Sequence, residues 1–173
     1  MSHPEQMRFV ASLTRTFPWH FRNTKVVEVG SLDINGSVRQ FFYEPTLYIG
    51  CDVGAGPGVD IVCAGHELPF VNKFDVAISC ECFEHDKHWQ KTFAKMVEMV
   101  KPNGLVIFSC ATTGRPEHGT TKSNPHDAPY TNDYYKNLTK EDFEACFDLK
   151  KLFLKYEFST NEGSKDLYFW GQK

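Results

Sequence analysis

The chain has 173 residues and a formal net charge of -3, and hydrophobic and charged residues make up 41% and 24% of it. These are ordinary values for a globular protein, so the composition excludes disordered and fibrous classes. The length suits one core, and we predict a single domain over residues 1–173. The slightly acidic charge argues against a basic surface that recruits nucleic acid.

Cysteine usage and apolar segments bear on the compartment. Most of the six cysteines lie in or at the end of apolar runs, where buried free thiols are expected. No secretory signal is recognisable at the start, and no apolar stretch approaches the ~20 residues that span a bilayer. We therefore predict a cytoplasmic protein with reduced thiols and no membrane partner; the oligomeric state stays open.

The first half of the chain alternates helical and extended patterns. Apolar spacing over residues 4–17 predicts a helix that ends at Pro18, within an N-terminal helical region 1–20. A β-branched run predicts a first strand over 26–29. A helix over about 35–42 and a second strand over 47–51 complete a β-α-β unit.

The second half continues this alternation and then changes. The remaining predicted elements are strands at 59–63, 74–80 and 105–110, a helix at 89–100 ended by KPNG, a short capped helix from Thr139, and strands at 149–158 and 166–170. Parallel strands need crossover helices. The pattern thus predicts an α/β fold: a doubly wound, mostly parallel seven-stranded sheet in three α/β/α layers, with a C-terminal antiparallel strand pair.

The turn after the first strand is the most informative feature. Gly30 and Gly36 indicate a close approach of backbone to a ligand. Asp52 ends the second strand, where a carboxylate can accept hydrogen bonds from both ribose hydroxyls of a nucleoside. The two features together predict a nucleoside-bearing cofactor.

The composition of the turn separates two cofactor classes. Nicotinamide folds use G-x-G-x-x-G, but Leu32 and Asp33 stand where such glycines would lie. Glu28 and Asp33 would repel a pyrophosphate, whereas they suit a cofactor with an ammonium and a sulfonium group. S-adenosylmethionine (AdoMet) is such a cofactor.

From Lys25 to Ala111 the chain resembles the class I AdoMet-dependent methyltransferases, especially the group called methyltransferase type 11. The resemblance implies a Rossmann-like fold and methyl transfer from AdoMet to an acceptor, which we expect to be a small molecule. The matching cofactor-binding positions are Glu28, Gly30, Ser31, Asp33, Gly36, Asp52, Val53, Gly65, His66, Glu67, Ser79 and Cys80. Ala64 departs from the pattern, because the family commonly has an acid there for the adenine amine.

The segment Ser79–His85 resembles the family's S-x-x-x-x-E-H motif, which borders the cofactor and the acceptor. Glu84 and His85 are the candidate catalytic residues, since imidazole titrates near neutral pH. The alternative is a pair that only shapes the floor of the site.

The same segment raises the question of a metal. Cys80, Cys82, His85 and His88 are of the types that zinc prefers, but their spacing is not that of a zinc finger or ribbon. We therefore predict no metal.

The irregular stretch 112–138 is predicted to be a substrate loop, since loops this long in compact domains usually have a function. His118, in the segment TGRPEH, resembles a family pattern and is a candidate substrate-binding residue together with Tyr130. The alternative is an exposed excursion without a function.

Three other functions stay open at this point. A non-catalytic AdoMet- or nucleoside-binding protein would bind the cofactor without turnover. An NAD-dependent oxidoreductase would bind NADH in its place. A structural interaction module would bind neither.

Overall fold

The computed structural model describes residues 3–173. Its strands are β1 (Lys25–Val29), β2 (Leu47–Asp52), β3 (Ile61–Val62), β4 (Phe74–Cys80), β5 (Val100–Ala111), β6 (Lys155–Asn161) and β7 (Asp166–Gln172). Its α-helices are α1 (Pro4–Thr16), α2 (Trp89–Met99), α3 (Lys140–Cys146) and α4 (Leu149–Leu152).

The strands form one seven-stranded sheet in the order β3-β2-β1-β4-β5-β7-β6. Neighbours from β3 to β5 are parallel, whereas β7 is antiparallel to both β5 and β6. The predicted fold class, including the C-terminal antiparallel pair, is confirmed. Because β1 and β4 are adjacent while the chain passes through β2 and β3 between them, the order reverses beside β1. Ligands of open α/β sheets bind at such a point.

The period of two along the strands gives the sheet two apolar faces. Val26, Ile78 and Ile107 point to the face that α1 covers, where they pack with Val10 and Leu13. The other face carries a large aromatic cluster between the sheet and the helices α2 and α3. Its fully buried members include Phe93, Phe108, Phe143 and Phe169. Since burying one such ring contributes about 1.5–3 kcal/mol, this face anchors the C-terminal half.

The N-terminal region is helical, as predicted, but in two pieces. Helix α1 has a proline in its first turn and is followed by a 3-10 helix, Pro18–His20. Residues 1 and 2 of the predicted region lie outside the described residues. Among residues 3–173, no helix is both long enough and apolar enough to cross a membrane.

The helix predicted over 35–42 is wrong. Only a 3-10 helix, Val38–Phe41, forms there. Gly36 has a φ of 118°, and the side chain of Ser37 accepts a hydrogen bond from the Arg39 amide. Pro45 follows shortly afterwards. The segment therefore has room for a turn but not for a full helix.

Two predicted boundaries are also corrected. KPNG lies inside β5 instead of capping α2, because Asn103, with a φ of 66°, makes the bend there. Gly104 is needed for close packing: a Cβ there would lie 2.8 Å from the Asp75 carbonyl oxygen. Further on, residues 149–152 form α4 instead of starting a strand, since Leu149 and Leu152 have the i, i+3 spacing of a helix. The third strand is shorter than predicted.

Candidate active site

A cavity of about 610 Å³ opens at the carboxyl ends of β1, β2 and β4. The residues at and after the ends of these strands line it, and so does the segment 127–134 of the long loop. Its position is where the strand order reverses. The cavity is therefore at the place where this class of sheet binds ligands.

The turn after β1 brings bare backbone to the cavity. Gly30 has a φ of 76°, which favours glycine, and a Cβ there would lie 2.6 Å from the Cβ of Cys82. The amides of Gly30 and Ser31 both donate to the Cys51 carbonyl, at 2.8 and 3.1 Å. The turn is thus fixed against the end of β2, and there is no space for a side chain at Gly30.

Asp52 is held rigidly at the cavity wall. One carboxylate oxygen accepts a hydrogen bond from the Leu32 amide at 3.1 Å, and the other accepts one from the Gly54 amide at 3.0 Å. Each carboxylate oxygen can accept a further hydrogen bond. The side chain is therefore oriented before any ligand binds and keeps acceptor capacity for hydroxyl groups.

Asp33 stabilises the turn and does not line the cavity. Its amide donates to the Pro57 carbonyl at 2.9 Å, and its carboxylate accepts the Gly36 amide at 2.7 Å. It closes the turn without lining the cavity, whereas Gly36 lines it.

Glu28 lies beneath the turn, lines the cavity and is 5% exposed. The Tyr48 hydroxyl donates to its carboxylate at 2.6 Å. Burial raises the pKa of Glu28 from 4.5 to about 7, although the hydrogen bond from Tyr48 opposes the shift. Near neutral pH a positively charged ligand would therefore draw this carboxyl towards its ionised form.

Replacing Glu28 with glutamine is expected to change how stability depends on pH. Because the folded protein keeps the Glu28 proton between pH 4.5 and about 7 while the unfolded chain releases it, this group lowers stability as pH rises through that window. The glutamine variant has no such proton to release. Its free energy of unfolding relative to wild type should therefore rise by up to about 3 kcal/mol as the pH increases from 4.5 to 8. Urea unfolding at several pH values measures it.

The matched control is Glu157→Gln, which removes an exposed carboxylate on β6. Its stability difference from wild type should stay constant over the same pH range. If the stability difference between Glu28→Gln and wild type is also independent of pH, the assignment of a raised pKa to Glu28 is contradicted.

Gly65 and His66 line the cavity beyond β3, in a 3-10 helix, Gly65–Glu67. A Cβ at Gly65 would lie 2.5 Å from a methyl of Val29, so the segment packs tightly against β1. The His66 ring meets the His88 ring edge-on, with centroids 4.9 Å apart. Ala64 also lines the cavity, and Glu67 does not.

The segment after β4 divides between the cavity wall and the interior. Cys80 and His85 line the cavity, whereas Ser79 and Glu84 are fully buried behind it. Burial, reinforced by the Glu81 carboxylate, raises the pKa of Glu84 to about 8. Burial and the neighbouring His118 lower the pKa of His85 to about 3, so its imidazole is neutral at physiological pH. The near-neutral titration expected from sequence is therefore not found at His85.

The long loop, residues 112–138, is tied down at both ends. The Leu138 amide donates to the Ala111 carbonyl at 2.9 Å, and the Lys136 amide donates to the Glu84 carbonyl at 2.8 Å. At its start, Arg115 bonds to the buried Asp166 carboxylate at 2.9 Å. The loop is therefore fixed over the cavity mouth instead of being an excursion away from the site.

The two candidate substrate residues occupy different places in this loop. Tyr130 lines the cavity and packs over Gly54, whose Cα hydrogen faces the tyrosine ring with no room for a side chain. His118 does not line the cavity. It packs edge-on against His85, with ring centroids 5.0 Å apart.

The cavity lining is acidic. Its acidic lining residues are Glu28, Asp52, Glu81, Asp86, Asp127 and Asp133, and Lys87 is the lysine among the lining residues. Such a surface favours a cationic ligand and disfavours a pyrophosphate.

Most of the predicted site residues therefore come together. Those that line the cavity are Glu28, Gly30, Ser31, Gly36, Asp52, Val53, Gly65, His66, Cys80, His85 and Tyr130, and those that do not are Asp33, Glu67, Ser79, Glu84 and His118. Sequence reasoning did not single out Glu81, and it considered Cys82 and His88 only as possible metal ligands. Within the segment 127–134, part of the predicted substrate loop, it named Tyr130 alone as a substrate-binding candidate. The polar and aromatic composition of the loop was the one signal for that segment.

Comparison with known proteins gives the family. A family model described as a methyltransferase domain matches residues 3–152. Among curated proteins, none matches the sequence at a significant level.

Solved structures give the same fold at low sequence identity. The 1,6-didemethyltoxoflavin-N1-methyltransferase of Burkholderia thailandensis, solved with its substrate and S-adenosylhomocysteine (AdoHcy), is 15% identical with a TM-score of 0.65; the match covers 97% of this chain and 78% of that one. Phosphoethanolamine N-methyltransferase 2 of Haemonchus contortus, solved with AdoMet, is 18% identical with a TM-score of 0.67, over 96% of this chain. Here the chain spans about half of the relative's length, 52%.

A third structure matches over nearly its whole length. A SAM-dependent methyltransferase from Thermotoga maritima is 14% identical with a TM-score of 0.58, and the match covers 96% of this chain and 97% of that one. The resemblance predicted from the Gly30 turn and the segment 79–85 is confirmed. The chain belongs to the family of methyltransferase domains and has the class I, Rossmann-like fold of the AdoMet-dependent methyltransferases.

Proposed function

We propose that this methyltransferase binds AdoMet in the cavity beside β1, β2 and β4 and transfers its methyl group to a small-molecule acceptor. The observation that carries the proposal is the combination, in one acidic cavity of about 610 Å³, of the bare Gly30 turn with the oriented Asp52 carboxylate. Such a cavity is large enough for a nucleoside cofactor and part of a small acceptor.

The residues present fit this cofactor. Asp52 would accept hydrogen bonds from the ribose hydroxyls, and the Gly30 turn leaves the space that a side chain would otherwise fill. Glu28 would attract the ammonium group, since the pKa of this carboxyl is close to neutral and a nearby cation favours its ionised form. The segment at Gly65 and His66 would lie along the adenine and contact it mainly through backbone, because Ala64 offers no acid.

AdoMet, when bound, supplies an electrophilic methyl group on a sulfonium. The protein's own contribution is to position the acceptor and exclude water. The loop 112–138 closes one side of the cavity, with Tyr130 at the wall. His85 lines the cavity with a neutral imidazole, which can accept a hydrogen bond from an acceptor, and Glu84 lies behind it.

The acceptor is proposed to be a small molecule that contacts Tyr130 and the residues near His118. Two similar structures support this, since small molecules are bound in them: 1,6-didemethyltoxoflavin in the Burkholderia thailandensis enzyme, and phosphomonomethylethanolamine in a second complex of the Haemonchus contortus enzyme. The acidic lining argues against nucleic acid. All six cysteines are free thiols, which supports a reducing, cytoplasmic location.

Production of AdoHcy tests this proposal. The full chain is incubated with AdoMet and small acceptors carrying hydroxyl, amine or carboxylate groups, and AdoHcy is quantified. We expect acceptor-dependent AdoHcy formation. Binding of AdoMet without AdoHcy formation from any acceptor would favour the non-catalytic alternative, and absence of AdoMet binding would contradict the proposal.

A further inference from the structure

Three potential metal ligands meet beside the proposed methyl-transfer site. Glu84 and His85 lie in the 3-10 helix Phe83–His85 after β4, and His118 lies in the loop after β5. One ligand atom from each, a carboxylate oxygen or a ring nitrogen, lies within 4.8 Å of the others. These residues are called the Glu-His-His cluster below.

The cluster contains buried polar atoms whose only hydrogen-bond contacts are poorly aligned ones with the backbone at Glu84, Ala111 and Tyr134. Glu84 is fully buried and His85 is 7% exposed, yet neither carboxylate oxygen and neither ring nitrogen makes a hydrogen bond of ordinary geometry. Each such group lowers stability by about 1–3 kcal/mol. Folding stability alone therefore gives no reason to place a carboxylate and two imidazoles together here.

Neighbouring groups hold the imidazoles in place. Nδ1 of His118 lies 3.2 Å from the Pro116 carbonyl oxygen and would donate to it, which leaves Nε2 as the ligand atom. The Tyr135 ring packs against both imidazoles, with centroids 5.4 Å from His85 and 5.0 Å from His118. The Tyr135 hydroxyl donates to Asn137 at 2.8 Å. A backbone carbonyl that accepts from the second ring nitrogen, as that of Pro116 does here, typically orients a metal-ligating histidine.

We propose that Glu84, His85 and His118 bind a divalent transition-metal ion, such as Zn²⁺, Mn²⁺ or Fe²⁺, at the acceptor end of the cavity. Two imidazoles and one carboxylate are a ligand set for such ions and leave coordination positions open. Because His85 lines the cavity, the open positions would face an acceptor there.

The role of the metal, though not its binding, rests on the proposed function. The ion selects acceptors with a hydroxyl oxygen and lowers the pKa of that hydroxyl. The O–H bond breaks and the proton passes to water. An oxygen electron pair then forms the O–CH₃ bond, while the S–CH₃ bond breaks and its electron pair stays on the sulfur of AdoHcy.

A second group of possible ligands, His3, Glu81 and Asp166, is already paired internally. Nε2 of His3 lies 3.2 Å from the Asp166 carboxylate and 3.6 Å from that of Glu81. Asp166 also accepts a hydrogen bond from Arg115, and Glu81 accepts one from Ser109 at 2.8 Å. These contacts are those of an ion-pair network that fastens the start of α1 to the sheet.

Metal titration of the chelator-treated full chain tests the proposal. We expect one equivalent of Co²⁺ or Zn²⁺ to bind, measured by calorimetry and by the visible absorbance of Co²⁺. Loss of orienting groups alone weakens metal sites by about 10- to 100-fold. Glu84→Gln and His118→Ala remove ligands and should therefore weaken binding by more than about 100-fold.

Two matched controls locate the ion. His126→Ala removes an exposed histidine from the same loop and should leave the affinity unchanged. His3→Ala disrupts the ion-pair network and should also leave it unchanged. Absence of stoichiometric binding by the wild type, or equal affinities in wild type, Glu84→Gln and His118→Ala, would overturn the proposal, as would a loss confined to His3→Ala.

AdoHcy binding to the metal-free protein separates this inference from the proposed function. Circular dichroism and AdoHcy titration show whether each variant is folded and keeps the cofactor cavity. AdoHcy binding without any metal binding would overturn the metal site and leave the proposed function standing. Metal binding without AdoHcy binding would overturn the proposed function and leave the metal site standing.

Discussion

Replacing Asp52 with alanine is expected to weaken AdoHcy binding by more than about 100-fold, because two hydrogen bonds from ribose hydroxyls to a charged group are lost together. The substitution also removes the acceptors of the Leu32 and Gly54 amides, which shape the turn. Isothermal titration calorimetry measures the affinity. Asp52→Asn keeps one acceptor oxygen, so its AdoHcy affinity should fall by less, about 10-fold.

Asp60→Ala is the matched control for this loss. The Asp60 carboxylate accepts the Gly50 amide at 2.7 Å and pairs with Arg39 at 3.1 Å, so it also ties β2 to its surroundings, but it lies outside the cavity lining. Its removal should lower thermal stability and leave the AdoHcy affinity within about threefold. Similar AdoHcy affinities for Asp52→Ala and wild type would contradict the placement of the ribose.

The second large effect is expected from Gly30→Ala. An alanine there would be strained by its φ of 76°, and its Cβ would lie 2.6 Å from the Cβ and 2.7 Å from the sulfur of Cys82. We expect a loss of about 2–4 kcal/mol in the free energy of unfolding from strain and overpacking together. The folded fraction should also lose AdoHcy affinity, because the turn must move. Urea unfolding and calorimetry measure the two effects.

Two further variants separate strain from the steric clash. Gly114 has a φ of 89°, but a Cβ there would meet nothing closer than 3.6 Å, so Gly114→Ala should cost only the strain, about 1 kcal/mol. Combining Gly30→Ala with Cys82→Gly removes the clashing atoms and should restore part of the stability. If Gly30→Ala and Gly114→Ala lose the same free energy of unfolding, the steric clash with Cys82 does not explain the need for glycine at position 30.

The sheet could be predicted because its signals are local. The run from Phe74 to Cys80 is apolar on both faces, which is typical of a central parallel strand, and β4 has these bounds. The capping box of α3 also follows from a short spacing, Thr139 to Asp142. Likewise, the proximity of Gly30 and Asp52 could be predicted, because each lies at the carboxyl end of a parallel strand.

The remaining features depend on tertiary contacts. Pattern alone favoured a helix before β2, but Gly36 and Ser37 stabilise a turn that the sequence period does not reveal. The proximity of His85 and His118 arises because the loop after β5 returns over β4, and no periodicity encodes that return. Burial then raises the pKa of Glu28 and lowers that of His85, so the pKa expected from residue type alone is wrong for both.

The site therefore combines a well-oriented cofactor half with a less stable acceptor half. Asp52 and the Gly30 turn are satisfied by backbone hydrogen bonds before a ligand binds. In contrast, Glu84 and His85 are buried without hydrogen bonds of ordinary geometry. Groups of this kind reduce stability and are typical of sites whose ligands compensate them.

A crystal structure of the protein with AdoHcy is the most direct test of the central claim, which is that the cavity beside β1, β2 and β4 holds the cofactor. We predict AdoHcy with its ribose hydroxyls within hydrogen-bonding distance of the Asp52 carboxylate and its adenine beside Gly65 and His66. AdoHcy bound elsewhere, or with its ribose remote from Asp52, would contradict this account.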